Sequence, residues 1–327
     1  MHRAIAAVCV SLLCFAAWVP PALAQSGPGS EGGTGTTHLL AIGVCPPYRT
    51  DVPVELCRNA VKAVTDNFPA ALGIDKANVI SMVDAETTGP KVLEQLANLS
   101  QTLKAEDRLI IYLVLHGDAF YQWANYYQSN VAIADVNKDY FSQSEDVLVF
   151  WTESEPTVPA LALAQKDWLT VAELVSALHK IPAQIALILD SCSSNRYFSS
   201  FHEEVKSRPK IDFVVTSSGS EQSSNFDEAR SMPLFLAQLR DALNLPTVTT
   251  FGEAVAYARA TTVLHAVAQC AMVTVPTNAY STAFPSLPLP NERTHDGEVS
   301  VPLWFCAQVP NVVDYTGEMS SRTLYRP

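Results

Sequence analysis

Two apolar runs of this chain of 327 residues lead into side chains that could do covalent chemistry together. Residues 109–115 (LIIYLVL) lead directly into His116, and residues 185–189 (IALIL) are followed closely by Cys192. A histidine that takes or stabilises the proton of a cysteine thiol yields a thiolate, which is the nucleophilic form of sulfur. These two residue types therefore indicate a cysteine hydrolase, if the fold brings them together.

Continuous apolar runs of this length are typical of strands buried on both faces, as in a parallel sheet covered by helices. In such sheets, ligand sites gather just beyond the carboxyl ends of the strands. We therefore expect His116 and Cys192 to lie at the same edge of one sheet. The alternative is an ordinary buried histidine and an inert core thiol.

Helical and strand patterns alternate along the chain from residue 38, which predicts an α/β domain with a mostly parallel central sheet of about six strands. Residues 117–167 interrupt this alternation as an insertion, and a C-terminal extension begins at about residue 270. The predicted strands cover residues 38–44, 78–83, 107–115, 184–190, 211–216 and 301–306. The predicted helices cover residues 53–72, about 88–103, 168–181, 232–243 and 250–267.

Residues 1–24 have the features of a bacterial secretory signal peptide, with Arg3 before an apolar stretch and a cleavage site after Ala24. The alternative, a membrane anchor, is disfavoured because the apolar stretch is short and ends in two prolines. Residues 25–37 are rich in Gly, Ser and Thr, which predicts a disordered leader. We therefore expect a secreted or periplasmic protein whose folded domain covers residues 38–327.

The charge and hydropathy of the chain exclude some classes of partner. A formal net charge of −12 gives no support to nucleic-acid binding, which requires a clustered basic face. No apolar run after the signal peptide is long enough to span a bilayer, so we expect no membrane contact after cleavage. The expected partner is a protein or peptide substrate, and the sequence does not predict an oligomeric state.

Five cysteines remain after residue 24, and an oxidising compartment favours their pairing. The simplest partition pairs Cys45 with Cys57 and Cys270 with Cys306, which leaves Cys192 as a thiol. Sequence alone does not fix this connectivity, and the alternative is that several of the five are unpaired buried thiols.

The two motifs, His116-Gly117 and the run Asp190 to Ser193 (DSCS), occur in the order and strand context of a known family. Together with the first strand and residues 214–218 (VVTSS), they resemble the caspase-like cysteine peptidases, and the bacterial metacaspase-type enzymes most closely. This resemblance implies a caspase-like three-layer α/β/α sandwich. It also implies that Cys192 is the nucleophile and His116 the base, with the oxyanion held by Gly117 and the N–H of Cys192.

The activity that this resemblance implies is that of a secreted cysteine endopeptidase, which hydrolyses peptide bonds through a thioester acyl-enzyme. In similar enzymes the position of Asp190 lines the primary specificity pocket, where a carboxylate favours arginine or lysine. The alternative for Asp190 is a structural aspartate that caps nearby backbone N–H groups. Two alternatives stay open for the whole chain: a catalytically inactive, protein-binding module, and a transpeptidase like those of the legumain group.

One segment resembles a calcium loop, since Asp135, Asn137, Asp139 and Asp146 have suitable spacing. Tyr140, however, stands where the turn of such a loop needs glycine, and this favours a solvated acidic loop. The histidines form no ligand pattern. Apart from possible calcium stimulation, which related peptidases often show, we therefore expect neither a metal site nor a cofactor.

Overall fold

In a computed structural model of the chain, the long apolar runs form the centre of one sheet. The structure describes the backbone of residues 35–45, 53–119, 146–149, 168–192, 194–195, 211–219, 222, 224–270, 274–276, 298–300 and 308–326. All these residues fall within one compact unit. The predicted signal peptide and most of the predicted insertion, including residues 135–145 of the segment that resembles a calcium loop, lie outside the described residues. So does the strand predicted at residues 301–306.

The described strands are β1 (Thr37–Val44), β2 (Val79–Val83), β3 (Arg108–Ala119), β4 (Asp146–Val149), β5 (Trp168–Thr170), β6 (Gln184–Asp190), β7 (Ile211–Thr216), β8 (Phe226–Asp227), β9 (Met232–Pro233), β10 (Thr274–Pro276), β11 (Glu298–Ser300) and β12 (Asn311–Asp314). The described α-helices are α1 (Val54–Leu72), α2 (Gly89–Thr102), α3 (Val171–Leu178), α4 (Leu234–Asn244), α5 (Phe251–Cys270) and α6 (Glu318–Ser321).

The main sheet has the strand order β12-β7-β6-β3-β1-β2. Its neighbours pair in parallel, except for β12, which runs antiparallel to β7 at one edge. A short antiparallel ladder of β4 and β5 continues from the end of β3. The predicted mostly parallel sheet of about six strands is therefore confirmed.

Helices cover both faces of this sheet because its strands alternate two sets of buried apolar side chains. On one face lie α1, α4 and α5, where the rings of Phe68, Phe213 and Phe251 meet at centroid distances of 6.1 and 5.8 Å. On the other face lie α2 and α3, through residues such as Leu96 and Leu174. These layers confirm the predicted α/β/α class.

Several predicted elements differ from the structure. Residues 168–170 form strand β5 rather than the start of a helix, because they pair with β4. Helix α3 begins at Val171, and Thr170 and Glu173 form the predicted capping box at its start. The edge strand β12 was not predicted, and β1 begins at Thr37, inside the predicted leader.

No helix among the described residues is long and apolar enough to cross a membrane.

Candidate active site

The register between β3 and β6 brings the two predicted catalytic positions to the same edge of the sheet. These strands are parallel neighbours, and their last paired residues are Val114 and Asp190. His116 and Cys192 each follow two residues later. The backbone therefore carries both residues past the point where the main-sheet pairing of these strands ends, at the edge where parallel sheets form their ligand sites.

The sequence predicted that the strand would end just before His116. In the structure, β3 continues through His116 to Ala119. The main-sheet pairing of β3 stops at Leu115, but His116 and Gly117 pair with Val149 and Leu148 of β4. The backbone of His116 is thereby fixed at the point where the main sheet passes into the short ladder. Its side chain lies outside the described part of the structure, and its pairing with Cys192 stays a prediction.

Cys192 lies in the turn after β6, half-buried and without a disulfide bond. The backbone N–H of Ser224 donates a hydrogen bond to its Sγ atom over 3.4 Å. An N–H donor of this kind stabilises a sulfur anion more than a neutral thiol, because the bond to the charged form is stronger. This hydrogen bond therefore favours the nucleophilic state of the sulfur.

Buried serines tie the Cys192 turn to the end of β7. The Ser218 hydroxyl donates to the backbone carbonyl of Ser191 over 2.8 Å. The N–H of Ser218 donates to Ser194 Oγ over 3.0 Å, and the N–H of Ser194 donates to Ser218 Oγ over 3.1 Å. Since these groups satisfy one another away from water, they fix the turn on both sides of Cys192.

Asp190, the predicted specificity residue, is 2% exposed and accepts hydrogen bonds from uncharged groups. The Tyr112 hydroxyl donates to its Oδ2 over 3.0 Å, and the Ser224 hydroxyl donates to its Oδ1 over 3.2 Å. The Ser217 hydroxyl and the N–H of Leu236, in the first turn of α4, also contact this carboxyl. These described contacts are of the kind expected for the alternative, in which Asp190 is a structural aspartate. The role of Asp190 in substrate selection stays a prediction.

Burial controls the ionisation of this carboxyl. It raises the pKa of Asp190 to about 6, against the lowering effect of its hydrogen bonds from Ser217, Tyr112, Ser224 and Leu236. Burial, with the nearby charge of Asp190, raises the pKa of Tyr112 far above its usual range. Tyr112 therefore remains a hydrogen-bond donor at every pH at which the protein would work.

Gln308, which is fully buried just before β12, connects the loops around the sulfur. Its Nε2 donates to the backbone carbonyl of Ser217 over 2.8 Å, and its Oε1 accepts the N–H of Asn225 over 2.8 Å. Its Nε2 also lies 3.5 Å from Ser224 Oγ. One amide thus joins the end of β7 to the segment that supplies the donor to Cys192.

The predicted disulfide between Cys45 and Cys57 is present in the structure. It joins the end of β1 to the first turn of α1, next to β3 at the same edge of the sheet. For the second predicted pair, Cys306 and the side chain of Cys270 lie outside the described residues.

Among the residues that the structure describes, no group of three or more His, Cys, Asp or Glu side chains could hold a metal ion. The calcium hypothesis concerns residues 135–146, which are outside the described residues except for Asp146.

The sequence analysis did not identify Tyr112, Ser224 or Gln308 as site residues. Tyr112 is the one hydroxyl-bearing residue inside the apolar run of β3, and Ser224 belongs to a polar loop. The buried tyrosine is a signal that could have been used, because a buried hydroxyl needs a partner. Nothing local in the sequence distinguishes Ser224 or Gln308 from other polar loop residues.

No protein-family model matches this chain, and no curated protein sequence matches it. Among solved structures, caspase-1 from Spodoptera frugiperda is similar with a TM-score of 0.46 and 10% identity, over 90% of each chain. The protein GSU0716 from Geobacter sulfurreducens is similar with a TM-score of 0.41 and 13% identity, over 67% of this chain and 88% of that one. Both TM-scores are below 0.5, so we base no conclusion about activity on either likeness.

Proposed function

We propose that this protein is a caspase-like cysteine endopeptidase in which Cys192 is the nucleophile and His116 is the general acid and base. The observation that carries the proposal is the register of β3 and β6, which leads the chain to both positions at one edge of the sheet. Further support comes from the half-buried Cys192 sulfur, which is outside any disulfide and accepts an N–H hydrogen bond.

The proposed reaction has two steps. The Cys192 thiolate attacks the carbonyl carbon of the scissile peptide, the C–N bond breaks, and His116 gives its proton to the leaving amine. Water then attacks the thioester, His116 takes up its proton, and the sulfur leaves as thiolate. The N–H groups of Gly117 and Cys192 would hold the negative charge that develops on the carbonyl oxygen.

The choice of substrate is a separate part of the proposal. An Asp190 carboxylate would prefer arginine or lysine before the scissile bond. Its described donors are Tyr112, Ser224, Ser217 and Leu236, and an incoming guanidinium would have to share the carboxyl with them. Cleavage of matched reporter peptides ending in arginine, lysine or aspartate decides this point, and preference for aspartate contradicts it.

The test of the activity combines peptide cleavage with thiol labelling. We expect the protein to cleave a reporter peptide and to be labelled by iodoacetamide at Cys192, with both lost in Cys192→Ala. His116→Ala should slow cleavage by roughly 10²-fold or more, because the proton transfers lose their catalyst. His265→Ala is the matched control, since His265 is exposed on α5, and it should leave cleavage unchanged.

Two outcomes would contradict the proposal. If the folded protein is labelled at Cys192 but cleaves no reporter peptide, it is a catalytically inactive binding module. Transfer of the acyl group to an added amine in preference to water would identify a transpeptidase.

We extend the proposal to location: residues 1–24 direct export, so the enzyme acts outside the cytoplasm.

A further inference from the structure

Ser224 contacts the sulfur of Cys192 and the carboxyl of Asp190 at the same time. Its backbone N–H donates to Sγ over 3.4 Å, and its hydroxyl donates to Asp190 Oδ1 over 3.2 Å. The residue is buried and follows β7 in the loop that leads to β8. One residue thus joins the predicted nucleophile to the carboxyl buried behind it.

We propose that Ser224 is a positioning residue, held between Asp190 and Gln308 so that its N–H points at the Cys192 sulfur and keeps it ionised. The consequence for catalysis rests on the proposed function. The ionisation of the sulfur is a property of the folded protein, however, and can be measured without any substrate.

The carboxyl of Asp190 fixes the direction of the Ser224 hydroxyl. An ionised carboxylate can only accept hydrogen bonds, so the hydroxyl of Ser224 must donate to it. The carboxyl itself is held by the Tyr112 hydroxyl on its other oxygen. The N–H of Leu236 adds a donor from the start of α4, where the unpaired N–H groups of a helix favour negative charge.

Gln308 also holds the Ser224 segment. Its Oε1 accepts the N–H of Asn225, the next residue, over 2.8 Å, while its Nε2 donates to Ser217 over 2.8 Å. The Ser224 hydroxyl gives its hydrogen to Asp190, and its oxygen accepts a hydrogen bond from the same Nε2 over 3.5 Å. Gln308 therefore holds both the Ser224 hydroxyl and the N–H of the next residue, which restricts the direction of the Ser224 N–H.

The titratable groups described around this cluster are Asp190 on β6 and Tyr112 on β3. The groups that reach it from α4 and from the segment before β12 are the Leu236 N–H and the Gln308 amide, which do not titrate. His116, whose side chain is not described, is the proposed cationic partner of the sulfur. A negative Asp190 opposes ionisation of the nearby Cys192 thiol. At neutral pH, hydrogen-bond donors to the sulfur are therefore needed to offset this repulsion.

The experiment measures the rate of iodoacetamide labelling at Cys192 from pH 4.5 to 10, with the modified peptide identified by mass spectrometry. Ser224→Ala removes the hydroxyl that orients the segment, and Gln308→Met removes the amide at similar volume. In both variants we expect labelling about five- to tenfold slower at pH 6 and unchanged above pH 9, because the midpoint rises by up to about one pH unit. Ser224→Thr keeps the hydroxyl and should stay within about twofold of the wild type.

Gln222→Met is the matched control, because Gln222 forms a different glutamine bridge between the same two segments. Its Oε1 accepts the N–H groups of Gly219 and Val309, each over 2.8 Å. This variant should keep the wild-type midpoint. An equal shift in Gln222→Met would mean that general loosening of the loops, rather than the position of Ser224, sets the ionisation, and would overturn the inference.

Further outcomes are decisive. An unchanged midpoint in folded Ser224→Ala overturns the inference, and if that variant does not fold, Gln308→Met decides in the same way. The wild-type midpoint must itself lie below the value of about 8.5 for an unperturbed thiol. Peptide cleavage is assayed in parallel: a shifted midpoint without cleavage refutes the peptidase alone, and cleavage with an unshifted midpoint refutes the positioning role alone.

Discussion

Two buried aspartates, at opposite ends of neighbouring strands, are stabilised in different ways. Asp212 lies near the start of β7, where Arg108 contacts both of its carboxylate oxygens at 3.1 and 3.0 Å. Asp190 lies at the end of β6, where its described donors are hydroxyl and backbone N–H groups. One carboxylate has a cation beside it, and the donors that the structure describes for the other are all neutral.

The difference changes how each carboxyl titrates. Burial raises the pKa of both, but at Asp212 the charge of Arg108 is the main opposing influence, whereas at Asp190 hydrogen bonds oppose it. The nearby cation favours the charged form of Asp212, while the carboxyl of Asp190, held by neutral donors, can change its ionisation near neutral pH. The amino end of the sheet is thus built for stability, and the carboxyl end is built around groups that can ionise.

The largest expected effect comes from removing the cation at the amino end. Arg108→Met leaves the Asp212 charge buried with the Thr316 hydroxyl as a remaining donor. We expect a loss of about 3–5 kcal/mol in the free energy of unfolding, measured by urea denaturation at pH 7. The double variant Arg108→Met/Asp212→Leu should recover most of this loss, because no unpaired charge stays buried.

Arg58→Met is the matched control for this prediction. Arg58 contacts Asp84 at 2.6 Å, but both side chains are far more exposed than Arg108 and Asp212. Solvent screening limits its contribution to at most about 1 kcal/mol. A loss in Arg108→Met no greater than that in Arg58→Met would remove the distinction between the two ends of the sheet.

The second prediction concerns the pH dependence of stability at the carboxyl end. Because the pKa of Asp190 rises from 3.8 to about 6 on folding, the folded chain binds more protons than the unfolded chain between these values. Asp190 therefore contributes about 3 kcal/mol to the free energy of unfolding below about pH 4. This contribution is lost as the pH rises through about 6. Asp190→Asn has no proton to lose, and the surrounding hydroxyls can rotate to keep their hydrogen bonds.

We therefore expect the free energy of unfolding of Asp190→Asn to gain about 3 kcal/mol relative to the wild type between pH 4 and pH 7. Urea denaturation of both proteins at intervals of one pH unit measures this difference. A difference that does not depend on pH would show that the carboxyl does not titrate in this range, and the comparison with Asp212 would fail.

The smallest of the three effects concerns the donor behind Asp190. Tyr112→Phe removes a hydrogen bond to an ionised carboxylate, and at pH 7 we expect a loss of about 2 kcal/mol in the free energy of unfolding. The loss should be smaller at pH 4, where the carboxyl is neutral. Tyr257→Phe, at a partly exposed position on α5, should show neither effect. An equal loss at both pH values would mean that the Tyr112 hydroxyl contributes independently of the charge on Asp190.

The fold was predictable where local pattern and burial agree. Strands β6 and β7 were predicted with their observed bounds, because strands buried on both faces are continuously apolar. Strand β12 was missed because it is a short edge strand with half-buried residues. Strand β5 was assigned to a helix because its pairing with β4 is a tertiary contact that no local pattern encodes.

The site was predictable only in part, for a related reason. The positions of His116 and Cys192 follow from the ends of two predicted strands, so their common edge could be expected before the structure. The network behind the sulfur joins Tyr112, Asp190, Ser224 and Gln308. The two residues of each hydrogen bond in this network lie 34 to 84 positions apart in the sequence. Contacts of this kind depend on the strand order, and a single sequence does not show which distant polar residues meet.

The segment from Gln308 to Glu318 supports both ends of the sheet, since Gln308 binds the loops near Cys192 and Glu318 contacts Arg108 at 2.7 Å. A ribosome makes the turn that carries Cys192 more than a hundred residues before it makes this segment. During synthesis, the sulfur would therefore lack its oriented donor until residues 308–318 have emerged and docked. This order of assembly would leave the proposed nucleophile without that donor until the polypeptide around it has folded.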